Sequence, residues 1–455
     1  MCGMLLPVRA MKWTHIHRAK RVLEMLDPFL FCIFFIAIFM IAGFSIGLAM
    51  FCGSVMYLAL GGKDISIATE TMLQGLYHKY TLLAIPLFIL AADIMNVGSI
   101  ADRLLKFSEA LVGRFRGGLG HVNVVSSLIF SGMSGSAIAD AVGMGKIIIH
   151  MMTKNGKYPM SYAAAITAAT ATIGPIIPPS IPMVMYALIS DASIGYLFAA
   201  GVFPGLLMAI SMGITNALIA RRRGFPVEPP TPLRDLPKVT WNAFPALMLP
   251  VILLGGIYGG VMTPTEAAAV AAFYALVIST FLYRSVSFSE FFQALIKSSK
   301  STAAIGMLIA GALAFNYVLT REDIPDTVAV WLTQYDLSPT GFLFFVVLLM
   351  TFLGCVLEAG PILLVIVPIF VPAALAIGVD IIHLGIVVVV NAMIGLITPP
   401  VGMLLFIVAN ITKAKMAEII RDVIPFIIVL FTSLFFITLN PDFVLFLPRL
   451  LGYPG

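Results

Sequence analysis

The chain has 455 residues, of which 60% are hydrophobic and only 11% charged, with a formal net charge of +5 and a mean hydropathy of +1.05. A soluble protein carries charge on roughly a quarter of its residues, so this composition excludes a water-soluble globular fold and places the chain in lipid. The positive charge is no sign of nucleic-acid binding, because the basic residues sit in short segments between apolar runs.

Residues 1–27 carry Arg9, Lys12, Arg18, Lys20 and Arg21. The apolar run that follows is too long for a cleaved signal peptide, so Trp13 to Leu26 is expected to lie on the membrane surface as an amphipathic helix. Apolar stretches then recur near 29–60, 81–97, 121–150, 161–189, 194–219, 242–262, 266–283, 302–319, 341–377, 383–411 and 422–439. At about 20 residues per span they predict roughly ten to twelve crossings, some of them re-entrant hairpins. No ten-residue alternation suggests a barrel. The expected class is an all-α polytopic membrane protein.

One linker interrupts the series. Arg221 to Lys238 places Pro226, Pro229, Pro230, Pro232 and Pro237 among charges, which no spanning helix tolerates. It divides the chain into membrane halves at 28–220 and 239–440, with a tail at 441–455. The basic residues of the linker and of the N-terminal segment mark both as cytoplasmic.

The halves echo each other. Gly174-Pro175-Ile176-Ile177-Pro178-Pro179 and Gly395-Leu396-Ile397-Thr398-Pro399-Pro400 each follow an apolar helical stretch, offset by 221 residues (395 − 174). Ile100-Ala101-Asp102 and Ile324-Pro325-Asp326 repeat at an offset of 224 (324 − 100). Two echoes at nearly one offset indicate an internal repeat; with an odd number of crossings per half, the halves are inverted in the membrane.

Paired prolines remove two backbone donors and clash with the preceding turn, and the residue before each proline leaves helical geometry. Each motif is therefore expected to unwind its helix. In hydrocarbon such a break is tolerated only against protein or a wet cavity. A lone proline kink would need no ligand; a Pro-Pro break in each half points to function. Its carbonyls, with Thr170, Thr172, Gly174 and Ser180 in the first half and Asn391, Gly395 and Thr398 in the second, form an oxygen set suited to a hard cation.

A second constellation precedes each break. Ser131 to Asp140, with Ser134, Gly135 and Ser136, suits a hairpin tip, and Asp140 is an acid inside an apolar stretch, costly unless partnered. Small-residue helix packing is the alternative for the Ser/Gly run. The matching place in the second half is Gly354 to Pro361, with Glu358 as its acid. Lys146 offers a charge for an anionic substrate but reads better as a snorkelling lysine; Asp93 and Asn316 are weaker ion-site candidates. Thr263-Pro264-Thr265-Glu266 is a helix-starting capping box. Cys2, Cys32, Cys52 and Cys355 have neither CxxC nor metal-type spacing and read as small buried residues.

The stretches Ser134-Gly135-Ser136…Ala139-Asp140-Ala141, Gly174 to Ile181, Gly255 to Ala267 and Gly395 to Gly402 closely resemble the large membrane subunit of tripartite ATP-independent periplasmic (TRAP) transporters, over about 29–440. The resemblance implies a secondary transporter of the bacterial inner membrane, driven by a cation gradient, usually Na⁺, with no other cofactor. It further implies an inverted-repeat, elevator-type fold with two re-entrant hairpins and two broken helices. The implied partners are a periplasmic substrate-binding protein and a small four-helix membrane subunit, expected here as a separate chain because no such segment precedes the first half. The implied substrates are organic acids such as dicarboxylates, sugar acids or sialic acid. By motif, Na⁺ would sit near Ser134, Thr172, Gly174, Asn391, Gly395 and Thr398, with Pro178, Pro179, Pro399 and Pro400 breaking the helices.

Two rival readings have different requirements. A self-sufficient ion-coupled anion transporter would need no binding protein. A membrane-embedded enzyme is disfavoured, since His15, His17, His78, His121, His150 and His383 make no paired-ligand spacing and no GxSxG or P-loop occurs.

Overall fold

The computed structural model describes residues 27–454 except 230, 233, 335 and 336. The expected surface helix from Trp13 to Leu26 lies outside the described residues. Among them the chain forms 21 α-helices, and its only strand-type pairing is an isolated bridge between Arg116 and Val227. Packing separates two compact units, one from residues up to His78 with Ile305–Ile324, the other from Lys79–Ala304 with Pro325 onward.

The first unit holds α1 (Pro28–Ile41), α2 (Ile46–Leu60), α3 (Ser66–His78) and the latter part of α14 (Phe288–Arg321). Small residues set its closest crossing. A Cβ on Gly311 would lie 1.9 Å from the Gly47 carbonyl oxygen, and one on Gly47 would lie 2.5 Å from the Leu308 Cα. Without side chains at the crossing the two backbones pack directly, the usual route to helix association in lipid. At the α2 end, Tyr57 donates to Glu322, and the Lys63 ammonium reaches the Tyr57 hydroxyl at 3.2 Å.

The second unit begins with a 3₁₀ turn (Tyr80–Leu83) and α4 (Ala84–Val97), followed by α5 (Ile100–Val112), α6 (Gly118–Ser134), α7 (Ala137–Val142), α8 (Met144–Thr153), α9 (Met160–Ala171), α10 (Ile181–Ser190) and α11 (Ile194–Arg223). After the linker come α12 (Leu236–Tyr258), α13 (Pro264–Val277) with a π-helical turn (Ile278–Leu282), and the first part of α14. The remainder is α15 (Ile324–Gln334), α16 (Pro339–Gly354), α17 (Ala359–Ala376), α18 (Ile381–Gly395), α19 (Met403–Thr412), α20 (Met416–Leu439) and α21 (Pro441–Leu450).

The repeat seen in the motifs extends to whole elements. α5, α9, α10 and α11 begin at Ile100, Met160, Ile181 and Ile194; α15, α18, α19 and α20 begin at Ile324, Ile381, Met403 and Met416. The offsets are 224, 221, 222 and 222 residues (324 − 100, 381 − 160, 403 − 181, 416 − 194). The two Ile-x-Asp echoes are thus both helix starts, each with its aspartate in the first turn, where a carboxylate favours the helix dipole.

Among the described residues, seven helices are long and apolar enough to cross a membrane; α1, α2, α10, α16, α18 and α19 are apolar but shorter. The apolar stretches outnumber the long helices because glycine and proline subdivide them. The stretch 121–150 splits at Gly135, which has a left-handed φ of 61°, and again at Gly143. The stretches 161–189 and 383–411 split at the Pro-Pro motifs, whose Pro178–Pro179 and Pro399–Pro400 bonds are cis.

α9 and α18 form the core. Every residue from Tyr162 to Ala171 and from Ile382 to Gly395 is buried, as expected of helices apolar on all sides. A polar knot fixes one end of α9. Ser161 donates to Asp422 of α20 at 2.7 Å, and Arg223 at the end of α11 pairs with the same carboxylate at 2.5 Å. The linker's start is held too, with the Lys157 ammonium 2.8 Å from both Glu228 carboxylate oxygens.

The capping box is present as the sequence predicts: Thr263 Oγ1 accepts from the Glu266 amide at 3.3 Å, and Glu266 Oε2 accepts from the Thr263 amide at 2.8 Å. Replacing Thr263 with Ala should cost about 1 kcal/mol of stability, with Ser largely retaining it. Thermal unfolding of the purified protein in detergent checks this; equal midpoints for wild type and Thr263→Ala would show that the box contributes nothing.

Candidate functional site

Proline chemistry determines where the two core helices stop. α9 ends at Ala171 and α10 starts at Ile181, with Ser180 as its cap: Ser180 Oγ accepts from the Met183 amide at 3.2 Å and donates to the Pro175 carbonyl. α18 ends at Gly395 and α19 starts at Met403, with Gly402 at φ 59° before it. Both breaks therefore lie at the buried ends of core helices.

The hairpin that precedes each break touches it; the first break is buried, whereas Pro400 and Val401 of the second are exposed. The first hairpin turns at Gly135 and Ser136, and Ser136 Oγ caps α7 by accepting from the Ala139 amide at 3.3 Å. The Gly135 carbonyl accepts from the Ile181 amide at 3.4 Å. A Cβ on Gly135 would lie 2.6 Å from the Pro179 oxygen, and one on Gly174 would lie 3.5 Å from the Ser136 oxygen. In the second half the Cys355 carbonyl accepts from the Gly402 amide at 3.4 Å. Gly354 and Gly395 meet backbone to backbone, so that a Cβ on Gly395 would lie 2.8 Å from the Gly354 Cα. The paired contacts are themselves related by the repeat (355 − 135 = 220 and 402 − 181 = 221).

Glycines of α11 close the first break from another side. A Cβ on Gly201 would lie 2.3 Å from the Ile176 carbonyl oxygen, and one on Gly205 would lie 2.3 Å from the Ile177 side chain.

Hydrogen bonds fix the hairpin limbs to the core helices. Thr170 Oγ1 donates to Asn123 Oδ1 at 2.9 Å, and Asn123 Nδ2 donates to Thr167 Oγ1 at 2.7 Å. In the second half Thr351 Oγ1 donates to Asn391 Oδ1 at 2.9 Å, while Asn391 Nδ2 donates to the Val347 carbonyl at 2.7 Å. The same Asn–Thr bond joins limb to core helix in both halves, with the residue types exchanged. Thr170 and Asn391 are thus engaged in fixing helices. Thr172 donates to Ala169 at 2.6 Å and Thr398 to Ile394 at 2.8 Å; their remaining lone pairs can still face a cation.

The acids are not equivalent. Asp140 is buried within α7, with Oδ2 lacking a hydrogen-bond partner, as does the buried Ser134 Oγ. Glu358 is exposed at the N-cap of α17, where its side chain makes no capping bond. Lys146 is exposed, and Asp93 pairs with Lys297 at 2.6 Å. Asn316 Oδ1 is buried without a partner. Sequence reasoning missed Asn123 and Thr351; the signal was an uncharged polar residue inside an apolar stretch.

The halves also exchange contacts. α7 of the first hairpin packs on α19, which follows the second break, and α10, which follows the first break, packs on α17 of the second hairpin. Tyr186 of α10 donates to the Ile381 carbonyl at the start of α18 at 2.6 Å. Each half thus completes the surroundings of the other's break.

Residues 29–443 match the family model of the tripartite ATP-independent periplasmic transporter, DctM component. The chain is 39% identical over 414 residues to the sialic acid TRAP transporter large permease protein SiaM of Vibrio cholerae, covering 90% of this chain and 96% of that protein. It is 42% identical over 375 residues to the C4-dicarboxylate TRAP transporter large permease protein DctM of Pseudomonas aeruginosa, covering 82% and 88%. The 2,3-diketo-L-gulonate TRAP transporter large permease protein YiaN of Escherichia coli is 35% identical, over 89% and 96%. Among solved structures, the YdaH transporter of Alcanivorax borkumensis shares the fold, with a TM-score of 0.57 at 14% identity over 81% of this chain and 88% of that one. This multi-pass membrane chain is a transporter permease rather than an enzyme, and it belongs to the family of DctM components, the large permeases of tripartite ATP-independent periplasmic transporters.

Proposed function

We propose that the chain takes up an organic acid across the bacterial inner membrane, coupled to Na⁺, receiving it from a periplasmic binding protein and working with a small four-helix membrane subunit. The observation that carries this reading is the hairpin tip seated on a Pro-Pro break in both halves, with Gly135 against Ile181 and Cys355 against Gly402. The named relatives handle sialic acid, C4-dicarboxylates and 2,3-diketo-L-gulonate, and a carboxylate is common to these solutes.

Cations would bind where tip and break meet. Ser134, Thr172 and Gly174 supply oxygens in the first half, and Asn391, Gly395 and Thr398 in the second. Hydroxyl and carbonyl oxygens suit a hard monovalent cation. Asp140 Oδ2 and Ser134 Oγ, buried and without partners, support this for the first half, since a buried polar atom left without a partner is costly. The substrate carboxylate would lie between the breaks, where the amino termini of α10 and α19 favour negative charge. Cation binding would order the tip on the break, so the loaded state that changes access depends on Na⁺. The basic end of α11, Arg221 to Arg223, would face the cytoplasm with the N-terminus, and the hairpins would move as an elevator.

Proteoliposomes holding the permease with its partners should take up the organic acid in a Na⁺ gradient and lose that uptake when choline replaces Na⁺. Uptake that is unchanged in choline would remove the Na⁺ claim.

Gly135→Ala places a side chain at φ 61° and against the Pro179 oxygen. Gly395→Ala places one against Gly354. Each should lower the maximal uptake rate at least about tenfold, since displacing a preorganised site by a fraction of an ångström costs that much or more, while protein yield stays near normal. Wild-type rates in both variants would show that tip and break need not touch.

A further inference from the structure

Asp93 lies on α4 with only 8% of its side chain exposed, and its partner Lys297 lies on the first part of α14 with 66% of its side chain exposed. The two are 204 residues apart in the chain and 2.6 Å apart in space. α14 is one unbroken helix that contributes its residues up to Ala304 to the second unit and those from Ile305 to the first. Lys297 lies in the part of α14 that belongs to the second unit, so the pair joins two elements of that unit.

Asp93 is well placed for this. One turn later on the same face of α4, the Asn96 side chain presses on Gly143, where a Cβ would lie 2.2 Å from Asn96 Oδ1. Gly143 is the joint between α7 and α8, the far end of the first hairpin from its Gly135 tip. α4 also packs on α6, the hairpin's first limb, and on α10 beyond the first break. A continuous path of contact thus runs from Lys297 through Asp93 and Asn96 to the hairpin.

We propose that the Asp93–Lys297 ion pair fastens the first part of α14 to the first hairpin by way of α4, making both residues positioning residues for transport. This rests on the transport reading above, but the coupling it describes can be measured without transport. The pair is asymmetric. Removing the lysine strands a carboxylate in apolar surroundings, whereas removing the carboxylate leaves a lysine that is already exposed. Lys297→Met should therefore be more harmful than Asp93→Asn.

The test compares wild type, both single variants and the exchanged pair Asp93→Lys with Lys297→Asp, in the full chain with its partners. Hydrogen exchange of the amides of residues 137–143 reads the coupling; maximal uptake rate and the Na⁺ concentration for half-maximal rate read its consequence. Lys297→Met should speed exchange there and lower the maximal rate about tenfold with half-saturation changed less than about twofold, the pattern of a lost motion rather than lost binding. Asp93→Asn should do the same more weakly, and the exchanged pair should restore most of both. Exchange at 137–143 that is identical in wild type and Lys297→Met overturns the proposal, as does an exchanged pair that folds but restores neither readout. A wild type that takes up nothing in Na⁺ defeats the transport reading instead, and the exchange measurement still decides the coupling.

Discussion

An interrupted helix inside an apolar core must find cover for its backbone. α9 from Tyr162 and α18 from Ile382 are buried on every side, and both stop at a Pro-Pro motif. No continuing helix satisfies the polar groups at those ends, so other segments of the chain or a wet cavity must do so. The glycines follow from that requirement. Gly135, Gly354 and Gly395 let a hairpin reach a break at backbone distance, and Gly201 and Gly205 let α11 reach the first break from another side. The repeat and the polar ties between limb and core helix are arranged around these two ends.

That arrangement makes the breaks interdependent. α7 rests on α19 and α10 rests on α17, so the surroundings of each break are assembled from both halves. A ligand that orders one tip therefore acts on elements that also border the other break. This is a physical basis for coupling two kinds of solute, since an equilibrium between conformations shifts only by a ligand's differential affinity for them. In the first half the preconditions for a cation are the more developed, with one oxygen of a buried acid and a buried hydroxyl both unpartnered. In the second half Glu358 is exposed, and the oxygens at hand there are neutral.

Much of this was legible in the sequence because proline and glycine act on their own backbone. The positions of the two breaks, the near-constant offset, the turn at Gly135 and the capping box at Thr263 are all local chemistry. Side-chain pairs closed by tertiary packing were not legible. Nothing in the composition of α4 or α14 says that Asp93 meets Lys297, and Asp93 alone read as a weak ion site. Thr170 and Asn391 were recognised as polar groups near the breaks, but their partners Asn123 and Thr351 lie 47 and 40 residues away. Hydropathy marked apolar stretches without distinguishing long helices from hairpin limbs, because both bury the same kind of side chain.

The central claim is that a cation binds where hairpin tip and broken helix meet. A high-resolution density map of the permease with its partners in Na⁺, set beside one in choline, tests it most directly. An ion-sized feature is expected, present only in Na⁺, held by oxygens of the Ser134–Gly174 region, with its counterpart near Asn391 to Thr398. Maps in which both junctions are the same in Na⁺ and choline, or in which the Pro178–Pro179 and Pro399–Pro400 breaks face lipid, would contradict it.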